Sequence, residues 1–352
     1  MMHEKIKLNG KVYSAENLGQ LQQLPNTQYR WFKSIVEFLE QWFDKSDFIA
    51  TATSGSTGKP KQILLSKKAM RHSASMTNQF FGLNEHSTAL LCLPAEFIAG
   101  KMMLVRAMIG NFNLICVEPT SNPFVEELCK IDFCAITPHQ LSKSLKQIEQ
   151  QQIGHIIVGG SPLSSTCRNF VQHISSRVYE TYGMTETCSH IALRAVNGPE
   201  RSDYFRVLDQ VTIRVNEQNC LCITAPELFD GELTTNDIVS MHLPDSFIWQ
   251  GRLDHVINSG GIKIHPEKIE HKLSKIIHSP FFVSSLPDVS LGQKLILVIE
   301  STSVDTDTLK MELSRILNAY ELPKAIFLVE KFSYSASNKL LKNETLALIE
   351  NK

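Results

Sequence analysis

Several familiar signatures are missing from this chain, and each absence removes a class of chemistry. The eight cysteines, at 92, 116, 129, 134, 167, 188, 220 and 222, include no Cys-x-x-Cys pair, so a zinc knuckle or a dithiol redox centre has no sequence support. Cys220 and Cys222 would share one face of a strand, and the cysteines read as small buried hydrophobes in a reducing compartment. His-Glu-x-x-His, Gly-x-Ser-x-Gly and Gly-x-Gly-x-x-Gly are also absent, which leaves zincin, serine-hydrolase and dinucleotide-binding readings unsupported. Apolar runs such as 153–158 and 295–299 are far too short to cross a bilayer. The polar stretch Met1 to Arg30 contains no segment of signal-peptide length. There is no basic excess either, since 35 lysines and arginines face 36 acids for a net charge of -1. Nucleic acid is therefore not the expected partner. The expectation is a soluble, cytoplasmic protein.

What is present is ordinary globular material. Hydrophobic residues make up 43% and charged residues 20% of the 352, which excludes a disordered or fibrous chain and suggests two domains at about 150 residues each. From residue 48 onward, short apolar or β-branched runs alternate with amphipathic stretches. Strands are expected at 48–51, 62–65, 89–93, 114–117, 133–136, 156–158 and 178–179. Helices are expected at 67–81, after the cap Ser66, at about 98–109, and following Pro138 and Ser164. That alternation predicts a layered α/β domain with a largely parallel sheet. Beyond Val196 the pieces are strand-like, and after Asp254 a compact α+β arrangement of about 100 residues follows. The domain boundary is expected at Asp254, giving domains 1–254 and 255–352.

The segment with the strongest chemical character is Thr53-Ser54-Gly55-Ser56-Thr57-Gly58-Lys59-Pro60-Lys61, between two predicted strands. Glycines permit tight turns, hydroxyls and backbone N–H groups donate to phosphate oxygens, and lysines add positive charge. It is not a Walker A loop, which fails here at Thr53 and at Pro60. A second segment, Tyr182-Gly183-Met184-Thr185-Glu186, puts a carboxylate just after a strand, where it could ligate Mg²⁺ or cap a helix. A third runs from Thr235-Asn236-Asp237 through Gly251-Arg252-Leu253-Asp254 to Ser259–Glu270, and a fourth is Asn338-Lys339.

In order and spacing these segments resemble the adenylate-forming superfamily of acyl-CoA synthetases, adenylation domains and firefly luciferase. The resemblance covers residues 48 to 343. It implies a large layered α/β N-terminal domain and a small α+β C-terminal domain joined by a hinge, with ATP, Mg²⁺ and CoA as co-substrates. Thr53, Ser54, Gly55, Ser56, Thr57, Gly58 and Lys59 would wrap the ATP phosphates. Gly159, Gly160, Ser161, Tyr182 and Gly183 would line the adenine and acyl pocket, and Asp237, aided by Arg252, would take the ribose hydroxyls. Thr185 and Glu186 would serve catalysis, Glu186 holding Mg²⁺. Lys339 would bridge carboxylate and α-phosphate, and Asp254 would be the hinge.

Within the superfamily the chain is most similar to the o-succinylbenzoate-CoA ligases of menaquinone biosynthesis. The segment carrying this is Leu93 to Ala107, where Gly100 and Arg106 keep the spacing of a turn followed by an apolar helix. Gly100, Gly160 and Arg106 would contact the acid. Arg106 lies on a mostly apolar stripe with Met102 and Met103, where it could also snorkel or pair with an acid. A dicarboxylate substrate gives it a purpose, since one carboxylate is activated and the other, if buried, needs a cation. Several positions depart from the pattern. The region before the phosphate loop is short, Glu96 and Phe97 stand where an aromatic and histidine are usual, and Asn236 and Asn338 replace glycines. Other readings are a ligase for another acid, a carrier-loading adenylation enzyme and a non-catalytic nucleotide binder. A homodimer is an allowed assembly.

Overall fold

The computed structural model describes residues 4–52, 62–124, 130–334 and 340–350. The chain divides into two compact units, one of residues 1–212 with 224–232, the other of 213–223 with 233–352.

The first unit contains strands β1 (Lys5–Leu8), β2 (Lys11–Ser14), β3 (Phe48–Ala52), β4 (Gln62–Ser66), β5 (Thr88–Leu91), β6 (Asn113–Cys116), β7 (Ile131–Ile136), β8 (Ile153–Val158), β9 (Arg177–Gly183), β10 (His190–Ala195) and β11 (Phe205–Val207). Its helices are α1 (Gly19–Gln22), α2 (Arg30–Phe43), α3 (Lys67–Phe81), α4 (Ile98–Gly110), α5 (Pro138–Lys143), α6 (Leu145–Gln150) and α7 (Ser165–Phe170). Nine strands form one sheet in the order β11-β10-β9-β8-β7-β5-β6-β1-β2. From β1 through β6, β5, β7 and β8 to β9 every pairing is parallel. The edges turn antiparallel, with β10 on β9 and β2 on β1. The parallel centre is covered by helices and is apolar on both faces, as such strands must be. Leu90, Ile131, Cys134, Ile156, Val158 and Val178 are buried in one cluster with Leu141, Ile148 and Val171. Strands β3 and β4 form a separate antiparallel pair, flanking the expected phosphate loop. That loop, 53–61, lies outside the described residues.

Helix α3 begins where the sequence placed it, the Ser66 side chain accepting the Ala69 N–H at 3.0 Å. Helix α2 is strongly amphipathic, with Phe32, Ile35, Val36, Phe38, Leu39 and Trp42 buried. Helix α4 has Met102 to Met108 buried without a break, so it runs through the interior rather than along a surface.

The second unit contains β12 (Thr212–Val215), β13 (Cys220–Thr224), β14 (Glu232–Leu243) and β15 (Ser246–Arg252), paired in chain order. A separate five-stranded sheet comprises β16 (Ile257–Ser259), β17 (Ile262–Ile264), β18 (Phe281–Asp288), β19 (Gly292–Glu300) and β20 (Ala325–Val329), with helices α8 (Pro266–Leu273), α9 (Thr306–Ile316) and α10 (Lys342–Glu350). Strand β19 explains its own composition. Leu295, Leu297 and Ile299 pack under Ile269, Leu273, Leu309 and Leu313 of α8 and α9. The alternate residues Ile296 and Val298 face Phe282 and Phe332, backed by Leu346 and Ile349 of α10. A strand buried on both faces has no polar alternation. No described helix is long and apolar enough to cross a membrane.

Candidate active site

In an open parallel sheet, ligands bind beyond the carboxyl ends of the strands, where loops converge and backbone groups are unpaired. In the first unit those ends carry Pro94–Phe97 after β5, Gly159–Ser161 after β8, and Tyr182–Glu186, which begins in the last two residues of β9 and runs past it. Glycine is required at Gly183, because a Cβ there would stand 2.3 Å from the Ser189 carbonyl oxygen and 2.5 Å from the His190 Cα. At Gly159 a Cβ would meet Thr181 Oγ1 at 2.3 Å, and Gly160 holds φ at +95°. Both leave the backbone open after β8. Gly160, Ser161 and Gly183 are exposed, Tyr182 is half-buried, and its ring lies 5.9 Å from that of Phe205.

A tight turn holds the segment after Gly183. The Thr187 hydroxyl accepts the Met184 N–H at 3.0 Å and donates to the Ser189 carbonyl at 2.7 Å. Cys188 takes a left-handed φ of 61°, uncommon for a side chain of this kind. The turn leaves Thr185 half-buried and sends the exposed Glu186 carboxylate toward solvent. Burial pushes the Cys188 thiol up to about 12, so it is no nucleophile.

Arg106 sits on α4 and is 2% exposed. Its Nη2 donates to Ser189 Oγ at 2.7 Å and its Nη1 approaches Met103 Sδ at 3.6 Å, while Nε is buried without a hydrogen-bond partner. The Asn78 amide holds the Arg106 carbonyl at 2.9 Å, tying α4 to α3. Among the described residues no carboxylate pairs with this guanidinium. Burial alone pushes its pKa down to about 9, leaving it charged at neutral pH but poorly compensated. Beside it, His190 is buried between Ser189 Oγ and Thr77 Oγ1, each 3.3 Å away. Burial, then the Arg106 charge, holds His190 well below the usual histidine range. A second buried cation, Lys101, donates to the Ala50 carbonyl at 2.8 Å, and burial lowers its pKa. Gly100 is explained by packing, since a Cβ there would lie 2.3 Å from the Pro94 oxygen where α4 crosses the preceding turn.

In the second unit, Asp237 on β14 stands opposite Arg252 on β15. Trp249 Nε1 donates to Asp237 Oδ1 at 3.0 Å, which fixes that buried carboxylate. Arg252 makes two parallel bonds to Asp254, both 2.9 Å, a bidentate pair of the geometrically specific kind. Those bonds hold the Asp254 carboxyl below its ordinary range. The next residues are tied to α8. His255 Nδ1 lies 2.7 Å from Glu267 Oε1, and a Cβ at Gly251 would stand 2.5 Å from Glu267 Oε2. Lys339, like residues 53–59, lies outside the described residues.

The structure thus brings Arg106 to the segment after Tyr182–Glu186, through Ser189, and joins Asp237 to Arg252 by strand pairing and Arg252 to Asp254 by the bidentate ion pair. Sequence reasoning passed over Ser189, His190, Thr77 and Lys101. Ser189 and His190 follow the Glu186 motif by only a few positions, but nothing in their own pattern points at Arg106, a long way off in sequence.

Residues 13–233, more than half of the chain, match the family described as AMP-binding enzyme. The 2-succinylbenzoate–CoA ligase of a Geobacillus species (strain WCH70) is 26% identical over 355 residues, covering 90% of this chain and 72% of that protein. The ligase of the same name from Listeria monocytogenes serovar 1/2a is 24% identical over 335 residues, covering 88% and 71%. Among solved structures, an acyl-CoA synthetase (AMP-forming)/AMP-acid ligase II-like protein from Dyadobacter fermentans is 34% identical, with a TM-score of 0.62 over 94% of this chain and 97% of that one. The o-succinylbenzoate coenzyme A synthetase of Bacillus subtilis, solved with ATP and magnesium ion, shares 21% identity with a TM-score of 0.72 over 84% and 69% of the two chains. At that identity the likeness is one of fold, and the fold is the adenylate-forming one.

Proposed function

The chain belongs to the AMP-binding enzyme family and is an AMP-forming acyl-CoA ligase; on that premise we propose that its acid is o-succinylbenzoate, adenylated with ATP and Mg²⁺ and passed to CoA in menaquinone biosynthesis. The observation that carries the choice of acid is Arg106. It is a buried cation with no acidic partner among the described residues. A buried charge without compensation is costly, and a substrate that brings its own second carboxylate removes that cost on binding. The names of the Geobacillus and Listeria relatives point to the same dicarboxylic acid.

A carboxylate attacking the α-phosphorus of ATP meets like charge, so the chain must supply positive groups as charge builds up. In this reading residues 53–59 hold the phosphates and Lys339 bridges the carboxylate and α-phosphate. Asp237 receives the ribose hydroxyls, while Gly159–Ser161 and Tyr182–Gly183 accept the adenine against bare backbone. Glu186 fits Mg²⁺. It offers one exposed carboxylate, and the described residues hold no cluster of three potential ligands. That suits a cation that keeps waters and is carried in on substrate phosphates. When bound, the ion supplies neutralisation of phosphate charge. Asp254, at the start of the α+β part, is the hinge that removes Lys339 before the thiol enters.

Isotope exchange between pyrophosphate and ATP tests the choice of acid. Exchange should depend on o-succinylbenzoate and be weak with simple benzoates or monocarboxylic acyl chains. Strongest exchange with a monocarboxylic acid would overturn the assignment.

A further inference from the structure

We propose that His190, set between Ser189 and Thr77, is the positioning residue that fixes the Arg106 guanidinium for a carboxylate-bearing acid. The inference rests on the reading of Arg106 as the acyl-site cation. It comes from the direction of the hydrogen bonds, which the structure leaves little freedom to change.

The Thr77 hydroxyl donates to the Ser73 carbonyl one turn back, at 3.1 Å. Its single proton is thereby used, so at the 3.3 Å contact with His190 Nε2 the hydroxyl must accept. Nε2 therefore carries the imidazole proton, and Nδ1 is bare. Ser189 Oγ, 3.3 Å from Nδ1, donates to it and is left with lone pairs turned to Arg106 Nη2 at 2.7 Å. The chain of donors runs one way on each side of the ring, from Arg106 to Ser189 to Nδ1, and from Nε2–H to Thr77 to Ser73. No donor meets a donor.

This arrangement has a consequence for the arginine. A guanidinium has five N–H donors. One is spent on Ser189 and one on the Met103 thioether. The three others, with Nε–H among them, have no protein acceptor among the described residues. With Nη2 held by Ser189, the plane of the guanidinium is set and the free edge is presented in one orientation. Neutral His190 performs this service without adding a carboxylate, which would pair with Arg106 and compete with the substrate. An acid at position 190 would occupy the arginine permanently.

The experiment compares the KM for o-succinylbenzoate with that for its benzoate methyl ester in His190→Leu and His190→Asn, alongside Arg106→Ala. The ester cannot accept a charge-assisted pair from Arg106. Leucine removes both ring nitrogens at similar volume, whereas the asparagine Oδ1 can replace the Nδ1 acceptor. In His190→Leu the KM ratio of diacid to ester should rise by about tenfold, the scale of one lost neutral hydrogen bond, and His190→Asn should recover most of it. Equal rises for both acids, or an asparagine variant as impaired as leucine, would show a merely structural histidine and overturn the proposal. If the leucine variant does not fold, Thr77→Val carries the same comparison; a ratio unchanged from wild type would likewise overturn it. The Arg106→Ala arm separates the two levels of the reasoning. Loss of discrimination there with none in the His190 variants refutes only the positioning role. No loss in Arg106→Ala refutes the acyl-site reading itself.

Discussion

Replacing Arg106 should affect stability and selectivity in opposite directions. In the free protein Arg106 is 2% exposed, and its guanidinium uses Ser189 and a thioether and has no carboxylate partner among the described residues. Arg106→Met keeps much of the packing of the side chain and removes the buried charge. Exchanges of buried charged groups for apolar ones of similar volume are neutral or stabilising by about 1–4 kcal/mol. A folding unit of the size of 1–212 with 224–232, which carries Arg106, gains roughly 2–4 °C in Tm per kcal/mol, so calorimetry without ligand should show an unchanged or higher Tm. Catalysis should move the other way. A charge-assisted bond to the substrate's free carboxylate contributes about 1.5–3 kcal/mol, and kcat/KM for o-succinylbenzoate should fall roughly 10- to 160-fold. With the uncharged ester the loss should be small, because the interaction removed was never made. Two results would refute the reasoning. One is a clear drop in Tm with equal losses for both acids, which marks Arg106 as structural. The other is turnover of the diacid within about twofold of wild type, well under the floor of that energy range.

Other outcomes follow from the proposed function and from the geometry of the described residues. Lys339→Ala should slow adenylate formation by about 10² or more, yet scarcely affect thioester formation from pre-made acyl-adenylate; equal losses in both half-reactions would contradict a mobile lysine. Asp254→Pro should give the complementary pattern, with Asp254→Ala as the control for loss of the Arg252 pair, since only proline fixes φ at the hinge. Gly183→Ala places a methyl 2.3 Å from a backbone oxygen, and chemical denaturation should show a loss of about 1–3 kcal/mol. Acid should weaken the fold in two stages. His190 lies below the usual histidine range, so the unfolded chain binds a proton below about pH 6.5 that the folded chain refuses, and stability falls as pH drops through that value. Glu267, where burial opposes but the His255 contact wins, titrates below its ordinary value. Its contribution is present above about pH 4.5 and is lost as pH falls through the folded value. A urea midpoint independent of pH between 7 and 5 would contradict the first stage.

Much of this architecture is written locally. Ser66 caps α3 as its residue type suggests, and the alternation of strand and helix through β5 to β9 gave the parallel sheet, because each βαβ unit is largely determined by its own segment. Helix α2 is legible in the spacing of Phe32, Ile35, Val36, Leu39 and Trp42, but it lies between the polar stretch 1–30 and the first expected strand at 48, where no element is expected from the sequence. Of the long antiparallel pair β14–β15, only 247–249 within β15 is legible as a strand; no strand is expected from the sequence over β14. Its partners are fixed by pairing, and Ile238, Val239, Met241 and Phe247 do not alternate strictly. The compact units part after residues 212, 223 and 232, while the sequence places a domain boundary at Asp254, where its pattern changes to α+β. The site shows the same divide. Tyr182 to Glu186 can be read as one contiguous motif, and Arg106 only through the resemblance carried by Leu93 to Ala107, since its apolar neighbours alone leave snorkelling or pairing with an acid open. The link from Arg106 through Ser189 and His190 to Thr77 joins α4, a turn, β10 and α3, and no local pattern encodes it.

The central claim is tested most directly by incubating the protein with o-succinylbenzoate, ATP, Mg²⁺ and CoA and resolving the products by mass spectrometry. The account predicts o-succinylbenzoyl-CoA, AMP and pyrophosphate in equal amounts, with no thioester when CoA is omitted. Release of ADP, or AMP formation that leaves CoA unacylated, would contradict it.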